Sequence, residues 1–301
     1  MAKKHIKRTP GDVTFNIITY TIFALFTLLC VFPFYYIFIN TISANDLSSR
    51  GLITFYPMQV HLNNYAEVFR IRGIGAAAWI SLARTVIGTA TNVLCTTFVG
   101  YILSKKILWK QKLWNRFFII TLYFNVGLIP WFLNMKNLGL TNTFFAYVIA
   151  VINPYNLVLV KTYVESISPS MEESAEMDGA STMRVFFSII FPLCKPIVAT
   201  IAVFTAVMQW NQFIDTLILM TNNTQLYTLQ FLLWQYLNEA KSLVTLLQGS
   251  GGGMHIDPSR FLTSTSIKMT ISMVVVFPIL FIYPFFQRYF VKGIMLGAVK
   301  G

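Results

Sequence analysis

Charge is scarce in this chain: Asp, Glu, Lys and Arg make up only 11% of it, with 11 acidic residues against 23 basic ones. Soluble domains carry about 25% charge, so the usual means of keeping 301 residues in water are missing. Cysteine is nearly absent. Cys30, Cys95 and Cys194 lie far apart without paired spacing, which excludes a disulfide framework and a thiolate metal site and leaves them as small apolar packing residues. The histidines His5, His61 and His255 are equally dispersed, in tail and loop positions, and indicate no metal cluster. No Gly-x-x-x-x-Gly-Lys-Ser/Thr phosphate loop occurs, so ATP cannot be held in that way. No nucleophile and base constellation stands out, and no internal repeat is evident. The net charge of +12 raises nucleic acid as a partner, but the basic residues are scattered between apolar runs and build no continuous basic face.

What is abundant is apolar surface: 55% of the residues are hydrophobic and the mean hydropathy is +0.62. A helix needs roughly 20 mostly apolar residues to cross a bilayer. Windows of that length occur at about 13–42, 76–103, 113–133, 143–164, 197–220 and 267–290. Alternation suited to a barrel strand is absent. The expected class is therefore an all-α polytopic membrane protein with six transmembrane helices, a tail at 1–12, a transmembrane domain at 13–290 and a second tail at 291–301. The first apolar run follows Lys3, Lys4, Lys7 and Arg8 as a secretory signal would, but it exceeds the roughly 7–15 apolar residues of a signal and lacks a small-residue cleavage site. It reads as a retained span.

Six spans place both ends on one side. Fifteen of the 23 basic residues fall on the side of the termini, among them Lys105, Lys106, Lys110, Lys112, Lys161, Arg184 and Lys195. The rest, including Arg50, Arg70, Arg72, Arg84, Lys136 and Lys268, belong to the other face or its adjoining span ends. Positive residues are retained in the cytoplasm, so both termini and the segment 165–196 are expected inside, with 43–75 and 221–266 outside.

The segment 165–196 carries the most information. Residues 168–181 read Ser-Pro-Ser-Met-Glu-Glu-Ser-Ala-Glu-Met-Asp-Gly-Ala-Ser. Ser170 with Glu173 matches a capping box, Glu172 and Glu173 suit the positive end of a helix dipole, and Gly179 can take the left-handed conformation that ends a helix. A second piece capped by Ser181 would run to Pro192, and Pro196 suits the first turn of the fifth span. An amphipathic helix lying on the membrane is the plain alternative, but such helices turn lysine and arginine toward anionic lipid, whereas this one is acidic.

These residues resemble the EAA loop of bacterial ATP-binding cassette import permeases, in which Glu-Ala-Ala is followed by a glycine after three residues and by Ile-x-Leu-Pro after nine more. Glu173, Ser174, Ala175, Gly179, Ile189, Phe191 and Pro192 fall at those spacings, with serine replacing the first alanine and phenylalanine the leucine. Further matching stretches are 127–131, 138–143, 178–181, 191–196, 210–213 and the ending 297–301. Together they resemble the carbohydrate branch of the family, on the pattern of the smaller maltose-type permease and of complex-oligosaccharide permeases. The resemblance implies the type I importer permease fold and a heterodimer with a second permease subunit. It also implies two cytoplasmic ATPase subunits that use ATP and Mg, an external solute-binding protein, and a sugar or oligosaccharide cargo, with no cofactor on this chain. It makes Glu172, Glu173, Ser174, Ala175, Asp178, Gly179, Ala180 and Pro192 the ATPase-coupling residues, with Lys300 and Gly301 as a second ATPase contact. Closure of ATPase subunits drives transport only if the membrane subunit offers a rigid element to grip, and a short capped helix is one.

Charges inside a span are functional candidates, which singles out Arg84 and Asp215. Arg84 can also snorkel outward. Asn153, Tyr155 and Asn156, around a proline that interrupts the fourth span, and Trp210, Asn211 and Asp215 on the fifth are candidate pathway residues. A packed kink explains the first group equally well. Trp131 and Tyr147 read either as sugar-stacking rings or, more simply, as interfacial anchors. The glycine-rich run with Gly249, Gly251, Gly252 and Gly253 is a binding-protein contact on the maltose-type pattern, or a flexible connector. Two other functions stay open: the same machinery carrying an amino acid, peptide or polyamine, and an ion-coupled secondary carrier, which would usually show repeats and intramembrane acids.

Overall fold

A computed structural model describes residues 10–124, 126–149, 151–238 and 265–280. Every regular element among them is helical. The chain divides into two compact units, Met1–Ile71 with Ala240–Val274, and Arg72–Glu239 with Val275–Gly301.

The first unit is dominated by α1 (Pro10–Thr41). Its 32 residues extend about 48 Å at roughly 1.5 Å each, more than the roughly 30 Å of a hydrocarbon core. Almost all of its apolar side chains are exposed, and only the last turn, Ile39, Asn40 and Thr41, is buried. The segment after it folds back onto that turn. Asn40 is the hub: its amide donates to the Tyr36 carbonyl at 2.8 Å and its oxygen accepts from Ser48 at 2.7 Å. Thr41 pairs with the Tyr65 hydroxyl at 2.9 Å, and the Asn64 amide donates to the Thr41 carbonyl at 2.9 Å. These bonds seat the short helices α2 (Asn45–Ser49) and α3 (Asn63–Arg70). The side chains of Asn40 and Ser48, and of Thr41 and Tyr65, satisfy each other there.

The second unit is built around α4 (Ile74–Ser104), which packs most extensively against α12 (Lys195–Asn211) and α8 (Pro154–Glu165). Two glycines set those distances. A Cβ at Gly100 would stand 2.7 Å from the Val160 Cγ1 and 3.3 Å from the Lys161 nitrogen, and one at Gly88 would stand 2.6 Å from the Gln209 side chain. Such gaps are too short for any side chain, so glycine is what lets the helices meet.

Several apolar windows are not single helices. The window 113–133 becomes α5 (Gln111–Tyr123) and α6 (Leu128–Asn137), separated around Gly127 at φ +81°. The window 143–164 becomes α7 (Phe145–Val148) and α8, which starts at Pro154 with Asn153 as its cap. After the short helices α9 (Ser170–Met177), α10 (Thr182–Val185) and α11 (Phe191–Leu193), α12 leads to α13 (Ile214–Leu219) across an extended Gln212. The last described helix is α14 (Thr265–Leu280). Hydropathy measures composition, and it cannot see that proline removes a backbone donor or that glycine leaves the helical region. By length and composition α1 and α4 could each cross a membrane alone, and 182–193 with 195–211 could do so as one span bent by 81°.

Candidate functional site

The helix pair between α8 and α12 follows the sequence closely, with one correction. Pro169 is already helical at φ −59° and ψ −28°, so α9 begins a residue earlier than a Ser170 cap allows. The backbone N–H groups of Glu172 and Glu173 both donate to the Pro169 carbonyl at 3.0 Å, and Ser170 pairs with Ser168 at 2.9 Å, so the expected capping box is not formed. The other end behaves as its residues require. Gly179 takes φ +78°, its N–H donates to the Glu176 carbonyl at 3.0 Å, and the Ala180 N–H reaches back to Ala175 at 2.9 Å. That double closure is the Schellman termination. Ser181 then accepts from the Arg184 N–H at 3.4 Å and starts α10. A π-helical turn, Phe186–Ile190, carries the chain to α11, and at Cys194 it bends by 81° into α12.

Packing ties this pair to the second unit. Val164, Val185, Phe186, Ile190 and Cys194 are buried in one cluster with Tyr101 and Val160, and Ala175 and Ala180 press against it. The Phe186 ring lies 5.1 Å from Phe98 and 5.4 Å from Tyr101. Alanine at 175 and 180 allows the backbone of α9 to approach this aromatic core. The opposite side is open: Glu173, Ser174, Asp178 and Gly179 are exposed, and Met177 is 87% exposed. Glu172 forms an ion pair with Lys105 just beyond α4, and the Lys105 ammonium lies 4.4 Å above the Tyr101 ring. Burial pulls Lys105 below its ordinary pKa, and the Glu176 carboxylate pushes the other way. A cleft of about 760 Å³, lined by Lys105, Lys106, Glu172, Glu173 and Glu176 among others, opens between them.

A second polar cluster lies far along the same bundle. Arg84, for which an outward-snorkelling side chain was one alternative, is instead 2% exposed. Its guanidinium donates to both Asp215 oxygens at 3.2 and 2.6 Å, to the Gln209 oxygen at 3.1 Å and to the Gln212 carbonyl at 3.2 Å. It also stands 4.4 Å over the Tyr147 ring. Tyr147 is not an interfacial anchor either: it is buried, and its hydroxyl meets Thr216 at 3.0 Å and the Leu226 carbonyl at 2.8 Å. One charge neutralises the other, which is how an ionised pair survives at such depth.

No family model matches the chain. It is 32% identical over 288 residues to the polygalacturonan/rhamnogalacturonan transport system permease protein YtcP of Bacillus subtilis, covering 95% of this chain and 98% of that one. It is 33% identical over 275 residues to the protein LplC of the same organism, covering 91% and 90%. Among solved structures it resembles a bacterial ABC transporter involved in the import of the acidic polysaccharide alginate, with a TM-score of 0.80, 27% identity and coverage of 95% of this chain and 99% of that chain.

The chain belongs to the carbohydrate ABC importer permeases. It is a multi-pass protein of the bacterial cell membrane. The permease places its candidate coupling residues on two elements: Glu172 to Ala175, Asp178, Gly179 and Ala180 lie along α9 and its end, and Pro192 lies on α11 at the elbow. Asn153 serves as a helix cap, its oxygen accepting from the Tyr155 and Asn156 N–H groups at 2.9 and 3.4 Å. Asn156 is buried and Tyr155 exposed. Trp210 donates to the Val275 carbonyl at 2.9 Å, and Asn211 bonds back to Val207 on its own helix. Lys300, Gly301, Gly249, Gly251, Gly252 and Gly253 lie outside the described residues. Lys105, Gln209 and Thr216 do not stand out in the sequence as interacting groups, and Tyr147 stands out only as a ring, not as a partner of Arg84. One signal was present: a lone arginine and a lone aspartate in apolar spans of one bundle are each too costly to bury without the other.

Proposed function

We propose that this permease carries a sugar or oligosaccharide through the cell membrane as half of a heterodimer, and that α9 to α11 form the handle through which two cytoplasmic ATPase subunits drive it. The observation that carries the reading is the build of the handle: an acidic helix exposed on one side, seated by Ala175 and Ala180 on the buried core, and joined through an 81° elbow to α12. A load applied at α9 therefore reaches the bundle through packed side chains rather than through a loose loop.

Six spans accommodate this element: α1, α4, α5 with α6, α7 with α8, α12 with α13, and the one containing α14. Broken helices are compatible with a bilayer where they face protein or a water-filled cavity. The distribution of Lys and Arg favours both termini and the 165–196 segment inside. ATP and Mg belong to the ATPase subunits, and a solute-binding protein delivers cargo from outside. The relatives named above make acidic oligosaccharides the first class to test. Arg84 is not free to meet a uronate, because Asp215 already occupies it. The relatives named above do not favour a non-sugar cargo.

The test uses a Ser174→Cys variant in a background where Cys30, Cys95 and Cys194 are alanine, co-expressed with the partner subunits. Reagent admitted to the cytoplasm should label it, and a short bifunctional cross-linker should join it to the ATPase. Labelling from the outer face alone would refute the reading. Uptake of oligogalacturonides, with maltose-series and amino-acid cargoes in parallel, identifies the substrate class.

A further inference from the structure

The acidic residues of α9 do not share one side. At about 100° per residue, Glu172, Ala175 and Glu176 fall on one face, and Glu173, Ser174 and Met177 fall on the opposite one. Burial sets two of the first three apart: Glu172 and Ala175 are partly covered, whereas Glu173, Ser174, Glu176 and Met177 are exposed. Ala175 supplies apolar seating, and apolar contact alone does not specify how a short helix is rotated about its axis. The Lys105–Glu172 pair does. Its side chains are 26% and 12% exposed, and it joins α9 to the end of α4. Among the described residues it is the one ion pair from α9 to another element, and the Glu176 carboxylate on the same face also acts on Lys105. The remaining ion pair on this side, Lys161–Glu165 at 2.7 Å, spans one turn of α8 and orients nothing outside it. Lys105 is itself held over the Tyr101 ring, which is buried in the core cluster.

We propose that Lys105 is a positioning residue for energy coupling: by holding Glu172 against the bundle it sets the rotation of α9, so that Glu173, Ser174 and Met177 are presented to the ATPase subunit. Glu172 then works inward as a latch, not outward as an ATPase contact. The inference rests on the coupling role proposed above for α9.

The experiment uses the complete transporter in proteoliposomes with its binding protein, and reads oligogalacturonide transported per ATP hydrolysed. Lys105→Met and Glu172→Gln should each lower that ratio by about two- to fivefold, the range set by one partly exposed ion pair, with membrane insertion and thermal midpoint unchanged. Lys105→Arg and the reversed pair Lys105→Glu with Glu172→Lys should recover it. An unchanged ratio in Lys105→Met, or a reversed pair no better than the single variants, overturns the latch. So does a lost thermal midpoint that tracks the lost ratio, because that is the mark of a general packing role. The Ser174→Cys cross-link to the ATPase is measured in the same preparations. Its absence in the otherwise unaltered chain overturns the coupling role and the latch together; its presence with failed rescue overturns the latch alone.

Discussion

Replacing Asp215 by alanine strands a buried cation. Arg84 makes five polar contacts within the second unit, and two of them, including the shortest at 2.6 Å, go to Asp215. The remaining partners, Gln209 and the Gln212 carbonyl, are neutral, so they can solvate the guanidinium but cannot balance its charge. Removing one member of such a pair destabilises a protein by about 3–5 kcal/mol, because the survivor keeps its desolvation penalty. Arg84→Met should cost a similar amount, since Asp215 would keep only the Thr216 N–H at 2.8 Å. Removing both charges in Arg84→Met with Asp215→Leu should return most of the loss. The measurement is a double-mutant cycle on reversible denaturant unfolding in detergent micelles, with a coupling energy of at least about 2 kcal/mol expected. Additive single effects, or an Asp215→Ala variant as stable as the parent, would refute the reasoning. The second result would mean that Arg84 reaches water or lipid headgroups by a route its 2% exposure denies.

Gly100→Ala should destabilise the chain by about 1–3 kcal/mol through overpacking, since the new Cβ meets the fully buried Val160, and Val160→Ala in the same chain should recover most of it; unfolding midpoints of the three variants decide this. Tyr147→Phe removes the hydroxyl that bridges Thr216 and the Leu226 carbonyl while leaving a ring under Arg84, so a loss of about 1–3 kcal/mol is expected by the same assay. Gly179→Ala has open space for its Cβ but must hold φ +78°, a local strain of about 1 kcal/mol. It should leave insertion and cross-linking geometry of the bundle intact and lower uptake severalfold; full uptake would show that the termination of α9 is not needed.

The membrane class and the helix pair within 165–196 were legible because both depend on local chemistry. Apolar runs declare a bilayer protein by composition, and Gly179 declares a helix end because few residues accept positive φ. Ser170 misled because the capping rule reads side chains, whereas Pro169 brings its own fixed φ and starts the helix first. The helix breaks at Asn153 and Gln212 were harder still, since a broken helix and a continuous one can share the same mean hydropathy. Arg84 shows the deeper limit. Its partner Asp215 lies 131 positions away, and nothing in the neighbourhood of either residue indicates the other. Each alone permits an outward-pointing side chain, and only the packing of α12 on α4 removes that choice.

The Arg84 cluster lies at the end of α12 remote from the elbow. α12 has 17 residues, about 26 Å of helix, and it leaves the 81° elbow at Cys194 to reach Gln209 beside Arg84. Along its length it packs on α4, where Gly88 admits Gln209 itself, and on α8. Gly100 in turn brings α4 against Val160 of α8. Interiors packed at such distances transmit displacement instead of absorbing it. Under the coupling role proposed for α9, a push through it is resisted along α12, because the far end of α12 is held by the guanidinium of another helix. The expected mechanical consequence is that α4, α8 and α12 shift together.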